Sequence, residues 1–203
     1  MIMAVSSLMF TVLLNILKVL LLSIYKQLAE GNIPKLFPTL IFSSVRFNPN
    51  LYNCGKVCLS LLGTWSGGTN EKWDPSTSTL LQVLVSIQSL ILVDQPFFNE
   101  PGYESQMNTA SGQKQSNEYN EVIRAGTLKW AILEQLKNPS AGFEEAIKLH
   151  FKLKKELLLK QCADWAKDAQ VSRTAGFGKK IQGLVDEIKV ELAKLDETEE
   201  KKE

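Results

Sequence analysis

Apolar side chains recur at helical spacing through most of the second half of the chain. They predict a helix that begins near Thr79, a helix that stops before Pro139 and a helix over about 143–165. After a glycine-containing break at 172–178, a further apolar stripe consists of Ile181, Leu184, Val185, Ile188, Leu192 and Leu195. This stripe predicts an amphipathic helix that packs within the molecule or forms a short coiled coil.

The helix near Thr79 carries a long apolar run with few polar interruptions, which indicates a buried core helix capped by Ser76 or Thr77. Two prolines within residues 94–102 end it. Residues 104–117 are rich in Ser, Asn, Gln and Gly, and we expect an exposed loop there.

The amino-terminal segment differs in composition, because Lys18 is the only charged residue among residues 1–25. Residues 8–25 are long enough to be considered as a membrane helix. A cleaved signal peptide would need positive charge before its apolar core, and none precedes Lys18. A membrane anchor would place Lys18 near its middle, where a lysine costs about 2.5–3.5 kcal/mol. We favour an apolar helix packed within protein, with the anchor as the alternative.

Length, charge and cysteine content narrow the class of protein. The 203 residues allow one domain with extensions or two small domains. A net charge of +1 gives no argument for a nucleic-acid partner. The three cysteines, Cys54, Cys58 and Cys162, do not form the pattern of a disulfide framework, so a reducing compartment such as the cytoplasm is favoured.

The first candidate for chemistry is Cys58, which lies in an apolar run after a loop shaped by Pro49. A buried free cysteine is the default interpretation of such a run. A cysteine protease would need a base, and His150 is the sole histidine. A zinc site would have to use Cys54, Cys58, His150 and Cys162, which contain one close pair and no second pair. Neither alternative is favoured.

Residues 46–62 read RFNPNLYNCGKVCLSLL and resemble the catalytic segment of ubiquitin-conjugating enzymes, or E2s. That segment has His-Pro-Asn, a turn that usually ends in Gly, and the active cysteine eight positions after the Asn; Asn50 precedes Cys58 by this spacing. Trp73-Asp74-Pro75 matches the family's Trp-x-Pro, and residues 80–103 resemble its central helix and following loop.

Within the family, three segments are similar to the carboxy-terminal E2 domain of a giant ubiquitin ligase of the inhibitor-of-apoptosis class. They are GTWSGGTNEKW at 63–73, NEPGY at 99–103 and KWAILEQLKNP at 129–139. The resemblance extends roughly from Val45 to Trp165. Inhibition of apoptosis would belong to parts of such a ligase that lie outside this chain.

The resemblance implies an α+β fold of the UBC (E2) type. An E2 domain begins with an amphipathic helix and a meander of strands, of which only Thr39–Phe47 corresponds to a strand here. We therefore expect an amino-terminally truncated, helix-rich version of the fold. Its predicted parts are an apolar helix and linker at 1–38, a partial UBC domain at 39–170, and an amphipathic helix with a charged tail at 171–203.

The resemblance also implies the chemistry. Cys58 would accept ubiquitin as a thioester and pass it to a lysine or to a ligase, because a thiolate is a good nucleophile and a good leaving group. Asn50 would hold the loop and stabilise the oxyanion, and Asn99 and Glu100 would orient the incoming lysine. Asn48 replaces the family's usual histidine and is expected to bond the loop backbone.

The implied partners are ubiquitin, a ubiquitin-activating enzyme (E1), and substrate proteins or an E3 ligase. No nucleic acid, metal or organic cofactor is implied, since the activating enzyme is what consumes ATP. We expect a cytoplasmic protein, with membrane contact through residues 8–25 as the disfavoured alternative. A non-catalytic E2-like fragment, acting at most as a binding module, is the alternative function, because the family's first helix recruits the activating enzyme and is not evident here.

Overall fold

The computed structural model describes residues 45–52, 57–66, 68, 71–139 and 142–200. The predicted apolar helix and linker at 1–38, the candidate membrane segment at 8–25 and Cys54 lie outside these residues, as does most of the predicted strand Thr39–Phe47. The described residues form helices and turns, with one isolated antiparallel bridge between Leu51 and Val57. The helix-rich character expected from the sequence is therefore present in this part of the chain.

The chain divides into two compact units, and the described residues up to Asn120 belong to one of them. Its first α-helix, α1, spans Leu80–Leu90. Thr79 caps α1 in place of the predicted Ser76 or Thr77: its hydroxyl accepts from the Gln82 amide at 3.3 Å, and its own amide donates to the Gln82 side chain at 2.7 Å.

One face of α1 is buried and the opposite face is not. Val83 and Ile87 are each 1% exposed, whereas Leu81 is 68% exposed and Val85 is 50% exposed. The prediction of a buried core helix was therefore wrong for one face. An apolar run predicts that a helix is buried, but the run does not show which face is packed against other residues.

Two short 3₁₀ helices, Pro96–Asn99 and Glu104–Gln106, lead to α2 at Ala110–Gly126. The loop predicted at 104–117 is thus helical from Ala110 onward. Thr109 explains the start of α2, because its hydroxyl accepts from the Gly112 amide at 3.0 Å. Gly112 is required by close approach, since a Cβ there would lie 2.2 Å from the carbonyl oxygen of Gln106.

The chain continues from α2 through a π-helical segment, Thr127–Leu133, and a last α-helical turn, Glu134–Lys137. The π-helical segment buries Leu128, Ala131 and Ile132. The helix ends before Pro139, as predicted.

The second unit contains two long helices, α3 at Glu144–Gln170 and α4 at Phe177–Glu200. They run antiparallel, because Lys155 of α3 pairs with Asp196 near the far end of α4 while Ala169 and Phe177 are buried at the turn. The residues of the predicted stripe that are fully buried are Ile181, Val185, Ile188 and Leu192. The prediction that this stripe packs within the molecule is confirmed.

Polar contacts join α2 to the connection between α3 and α4. The Glu121 carboxylate accepts from the hydroxyls of Ser172 at 2.5 Å and Thr174 at 2.7 Å, both in the α3–α4 connection.

Within the part of the chain that the structure describes, no helix is long and apolar enough to cross a membrane.

Candidate active site

The turn Asn48-Pro49-Asn50 is held by the side chain of its first residue. Asn48 is fully buried, and its carboxamide oxygen accepts from the Asn50 amide at 2.7 Å. Its carboxamide nitrogen donates to the carbonyl oxygen of Ile91 at 2.7 Å, directly after α1. The expectation that Asn48 bonds the loop backbone is confirmed, and the second bond fastens the turn to the end of α1.

The backbone of Cys58 is hydrogen-bonded to the same turn. Its amide donates to the carbonyl oxygen of Asn50 at 2.9 Å, next to the antiparallel bridge between Leu51 and Val57. The eight-residue spacing therefore brings Asn50 and Cys58 together. Cys58 is 6% exposed and lies between two buried apolar residues, Val57 and Leu59. The Asn50 residue is half-buried, and its oxyanion role stays a prediction.

Thr64 is a residue at this site that the sequence analysis missed. Its hydroxyl donates to the carbonyl oxygen of Val57 at 2.5 Å and accepts from the Leu59 amide at 3.0 Å. The chain reaches it through the short helix Ser60–Leu62 and Gly63, whose φ of 64° lies in the left-handed region. A glycine followed by a threonine shortly after the cysteine was the available signal.

Asn99 and Glu100 make contacts that fix the segment after α1. The Asn99 carboxamide donates to the carbonyl oxygen of Leu90 at 2.7 Å, which satisfies one of the free carbonyls at the end of α1. Glu100 forms an ion pair with Arg46 at 3.9 Å, with both side chains about two-fifths exposed. Their predicted role in orienting a lysine stays a prediction.

Arg46 connects several parts of this region. Its guanidinium donates to the carbonyl oxygen of Pro49 and lies 4.6 Å from the centre of the Tyr52 ring. The Tyr119 hydroxyl donates to the Arg46 carbonyl oxygen at 2.8 Å. Burial raises the pKa of Tyr119 to about 12, an effect that Arg46 opposes and Glu100 increases. Tyr119 is therefore a neutral hydrogen-bond donor at physiological pH.

The remaining candidate groups have other surroundings. Burial raises the pKa of the Cys162 thiol to about 12, so Cys162 stays protonated within the core. Burial, with a smaller effect of Lys154, lowers the pKa of His150 to about 4. Among the described residues, no three or more His, Cys, Asp or Glu side chains group as a metal site would require.

The sequence that forms this site matches a known family. Residues 29–127 match the family model described as "Ubiquitin-conjugating enzyme". The "Dual E2 ubiquitin-conjugating enzyme/E3 ubiquitin-protein ligase BIRC6" is similar in mouse at 61% identity and in human at 60%, each over 127 residues and 63% of this chain. The "Probable ubiquitin-conjugating enzyme E2 R521" of Acanthamoeba polyphaga mimivirus is 48% identical over 148 residues and 71% of this chain.

These relatives are far longer than the segment they share with this chain. The aligned part spans 3% of the mouse and human proteins and 10% of the mimivirus protein. The expected similarity to the E2 domain of a giant ubiquitin ligase is confirmed at this level of identity.

Proposed function

The chain belongs to the ubiquitin-conjugating enzyme family over residues 29–127, and from that premise we propose that it carries ubiquitin as a thioester on Cys58. The ubiquitin then passes to a lysine of a substrate or to a ligase. One observation supports this proposal above the others. The backbone of Cys58 bonds to Asn50 in a turn that the buried Asn48 carboxamide holds in place.

The first step exchanges one thioester for another. The Cys58 thiolate attacks the carbonyl carbon of ubiquitin's terminal glycine, a new C–S bond forms, and the thiolate of the activating enzyme leaves. Because a thiolate is both a good nucleophile and a good leaving group, one thioester can replace the other. ATP is consumed earlier, by the activating enzyme.

The second step transfers the acyl group. A lysine amine attacks the same carbonyl carbon and gives a tetrahedral oxyanion; the C–S bond then breaks and the amine loses a proton. The Asn50 carboxamide is the proposed hydrogen-bond donor to that oxyanion. In other acyl-transfer enzymes the loss of one such donor costs about 10²–10³ in kcat.

The burial of Cys58 favours a second candidate function. With 6% of the residue exposed, the thiol must become more accessible before it reaches a large protein substrate. A chain in which it does not would act at most as a non-catalytic module that binds partners of the pathway.

A charging assay separates the two functions. The purified chain is incubated with a ubiquitin-activating enzyme, ubiquitin and ATP, and the mass increase is read with and without reductant. We expect a reductant-labile adduct that disappears, or becomes a stable ester, in Cys58→Ser. Cys162→Ser is the control and should charge like the wild type. A folded chain that forms no adduct would contradict the thioester proposal and favour the binding module.

A further inference from the structure

The peptide groups on both sides of Cys58 are bonded to one side chain. A threonine hydroxyl has one hydrogen to donate and lone pairs to accept. In Thr64 the hydrogen goes to the nearer of two acceptors, the carbonyl oxygen of Val57 at 2.5 Å and not that of Leu59 at 3.3 Å, and a lone pair receives the amide of Leu59, 3.0 Å away. Both capacities of the hydroxyl are therefore used on the immediate neighbours of Cys58.

We propose that Thr64 is a positioning residue that sets the direction of the Cys58 side chain. The amide of Cys58 is held from one side by the carbonyl oxygen of Asn50. The Thr64 hydroxyl holds the preceding carbonyl and the following amide from the other side. These three bonds restrict rotation about the backbone dihedral angles of Cys58. They therefore also fix the direction in which its Cα–Cβ bond points.

The local chain is shaped to bring Thr64 back to this position. The Thr64 amide donates to the Leu59 carbonyl oxygen at 3.4 Å, and Gly63 turns the chain with a φ of 64°. A residue with a side chain is strained at such a φ. The Thr64 side chain is half-buried, so water competes only in part for its hydrogen bonds.

This inference deepens the proposed function, but it makes a claim that can be measured without ubiquitin. The rate at which iodoacetamide alkylates Cys58, read by peptide mass spectrometry, reports how freely the thiol leaves its position. Cys162 in the same sample reports general loosening, because it is buried elsewhere in the chain.

The test compares Thr64→Val with Thr64→Ser in the full chain. Valine keeps the shape and removes both hydrogen bonds, so we expect Cys58 to be alkylated about tenfold faster while the rate at Cys162 is unchanged. Serine keeps the hydroxyl and should restore the rate at Cys58 to within about twofold of the wild type. Where the chain charges, kcat for thioester formation should fall by about tenfold or more in Thr64→Val, because small misplacements of a reacting group cost that much.

Thr109→Val is the matched control. The Thr109 hydroxyl makes the same pair of bonds, donating to the Gln106 carbonyl oxygen at 2.9 Å and accepting from the Gly112 amide at 3.0 Å. Its loss should leave alkylation of Cys58 within about twofold of the wild type.

Three results would overturn the proposal: a wild-type alkylation rate in Thr64→Val, an equal acceleration at Cys58 and Cys162, or an equal acceleration in Thr109→Val. If Thr64→Val does not fold, Thr64→Ala deletes the same bonds without the second methyl group and is judged by the same criteria. Failure to charge would count against the thioester proposal, whereas the alkylation rates decide the role of Thr64 independently.

Discussion

A single buried carboxamide joins two parts of the chain that are 43 residues apart. Asn48 accepts from the Asn50 amide and donates to the Ile91 carbonyl oxygen, so it satisfies one backbone donor and one backbone acceptor at once. Backbone groups buried without a partner cost free energy, which makes this side chain important for the stability of the turn.

Asn48→Ala should lower the free energy of unfolding by about 3 kcal/mol, because it leaves one buried and one partly buried backbone group without partners. Urea denaturation followed by circular dichroism measures the change. Asn120→Ala is the control, since the Asn120 carboxamide donates to the Asp94 carbonyl oxygen at 3.0 Å in a more exposed place. We expect that control to lose less than about 1 kcal/mol. Equal losses in the two variants would show that Asn48 has no special role.

The sequence predicted part of this site for a clear reason. The spacing from Asn50 to Cys58 is local, and a motif records it directly. The bond from Asn48 to Ile91 joins positions that are distant in sequence, so no local pattern contains it. Thr64 was missed because a threonine in a turn is common, and only the structure shows that its hydroxyl meets both neighbours of Cys58.

At the scale of elements, α3 carries a histidine in an environment that disfavours its charged form. His150 is half-buried, its ring contacts the Phe151 ring edge to face at 5.6 Å, and Lys154 lies nearby. Burial and, to a smaller extent, Lys154 lower the pKa of His150 from 6.5 to about 4. Between these two pH values the unfolded chain binds more protons than the folded chain.

The stability of the chain should therefore fall as the pH is lowered from 7 toward 4. Part of that fall comes from His150, because protonation in the folded state is opposed by burial and by Lys154. The urea midpoint measured at pH 7 and at pH 5 gives the size of the fall. His150→Gln cannot titrate and should show a smaller decrease than the wild type. The same decrease in both proteins would rule out His150 as a source of acid sensitivity.

Long, periodic elements were predictable and short polar ones were not. α3 and α4 follow from apolar spacing, since each helix buries one continuous stripe. The first turns of α2 were predicted as loop because their Ser, Asn, Gln and Gly residues favour loops in general. The turn that precedes the helix decided otherwise, because Gly112 lets the helix pass close to Gln106. The π-helical segment Thr127–Leu133 leaves no sequence signal that differs from an α-helix.

At the scale of the molecule, the described residues that form the hydrophobic core of the second unit all follow Asn120. It extends from Ala125 to Leu192 and includes Phe151, which is fully buried. The family match ends at residue 127, so nearly all of this core lies beyond it. The hydropathy pattern predicted the helices α3 and α4. The predicted domain bounds, 1–38, 39–170 and 171–203, stay a prediction.

A fragment of residues 121–203 should fold by itself, because every described residue of this core lies within it. We expect a helical circular dichroism spectrum and a cooperative urea transition. Phe151→Ala in the fragment should cost about 3–5 kcal/mol, whereas Leu153→Ala should cost less than about 1 kcal/mol since Leu153 is 72% exposed. A fragment without a cooperative transition, or equal effects of the two substitutions, would show that the core depends on other residues.

The identity of residue 48 also affects how the turn responds to acid. An imidazole, which ubiquitin-conjugating enzymes usually carry at this position, gains a proton near pH 6.5 and then has no nitrogen left to accept a hydrogen bond. The carboxamide of Asn48 does not titrate, so its bonds to Asn50 and Ile91 are chemically the same from pH 5 to pH 8. Acidification of the surroundings therefore leaves the anchor of the Cys58 turn unchanged.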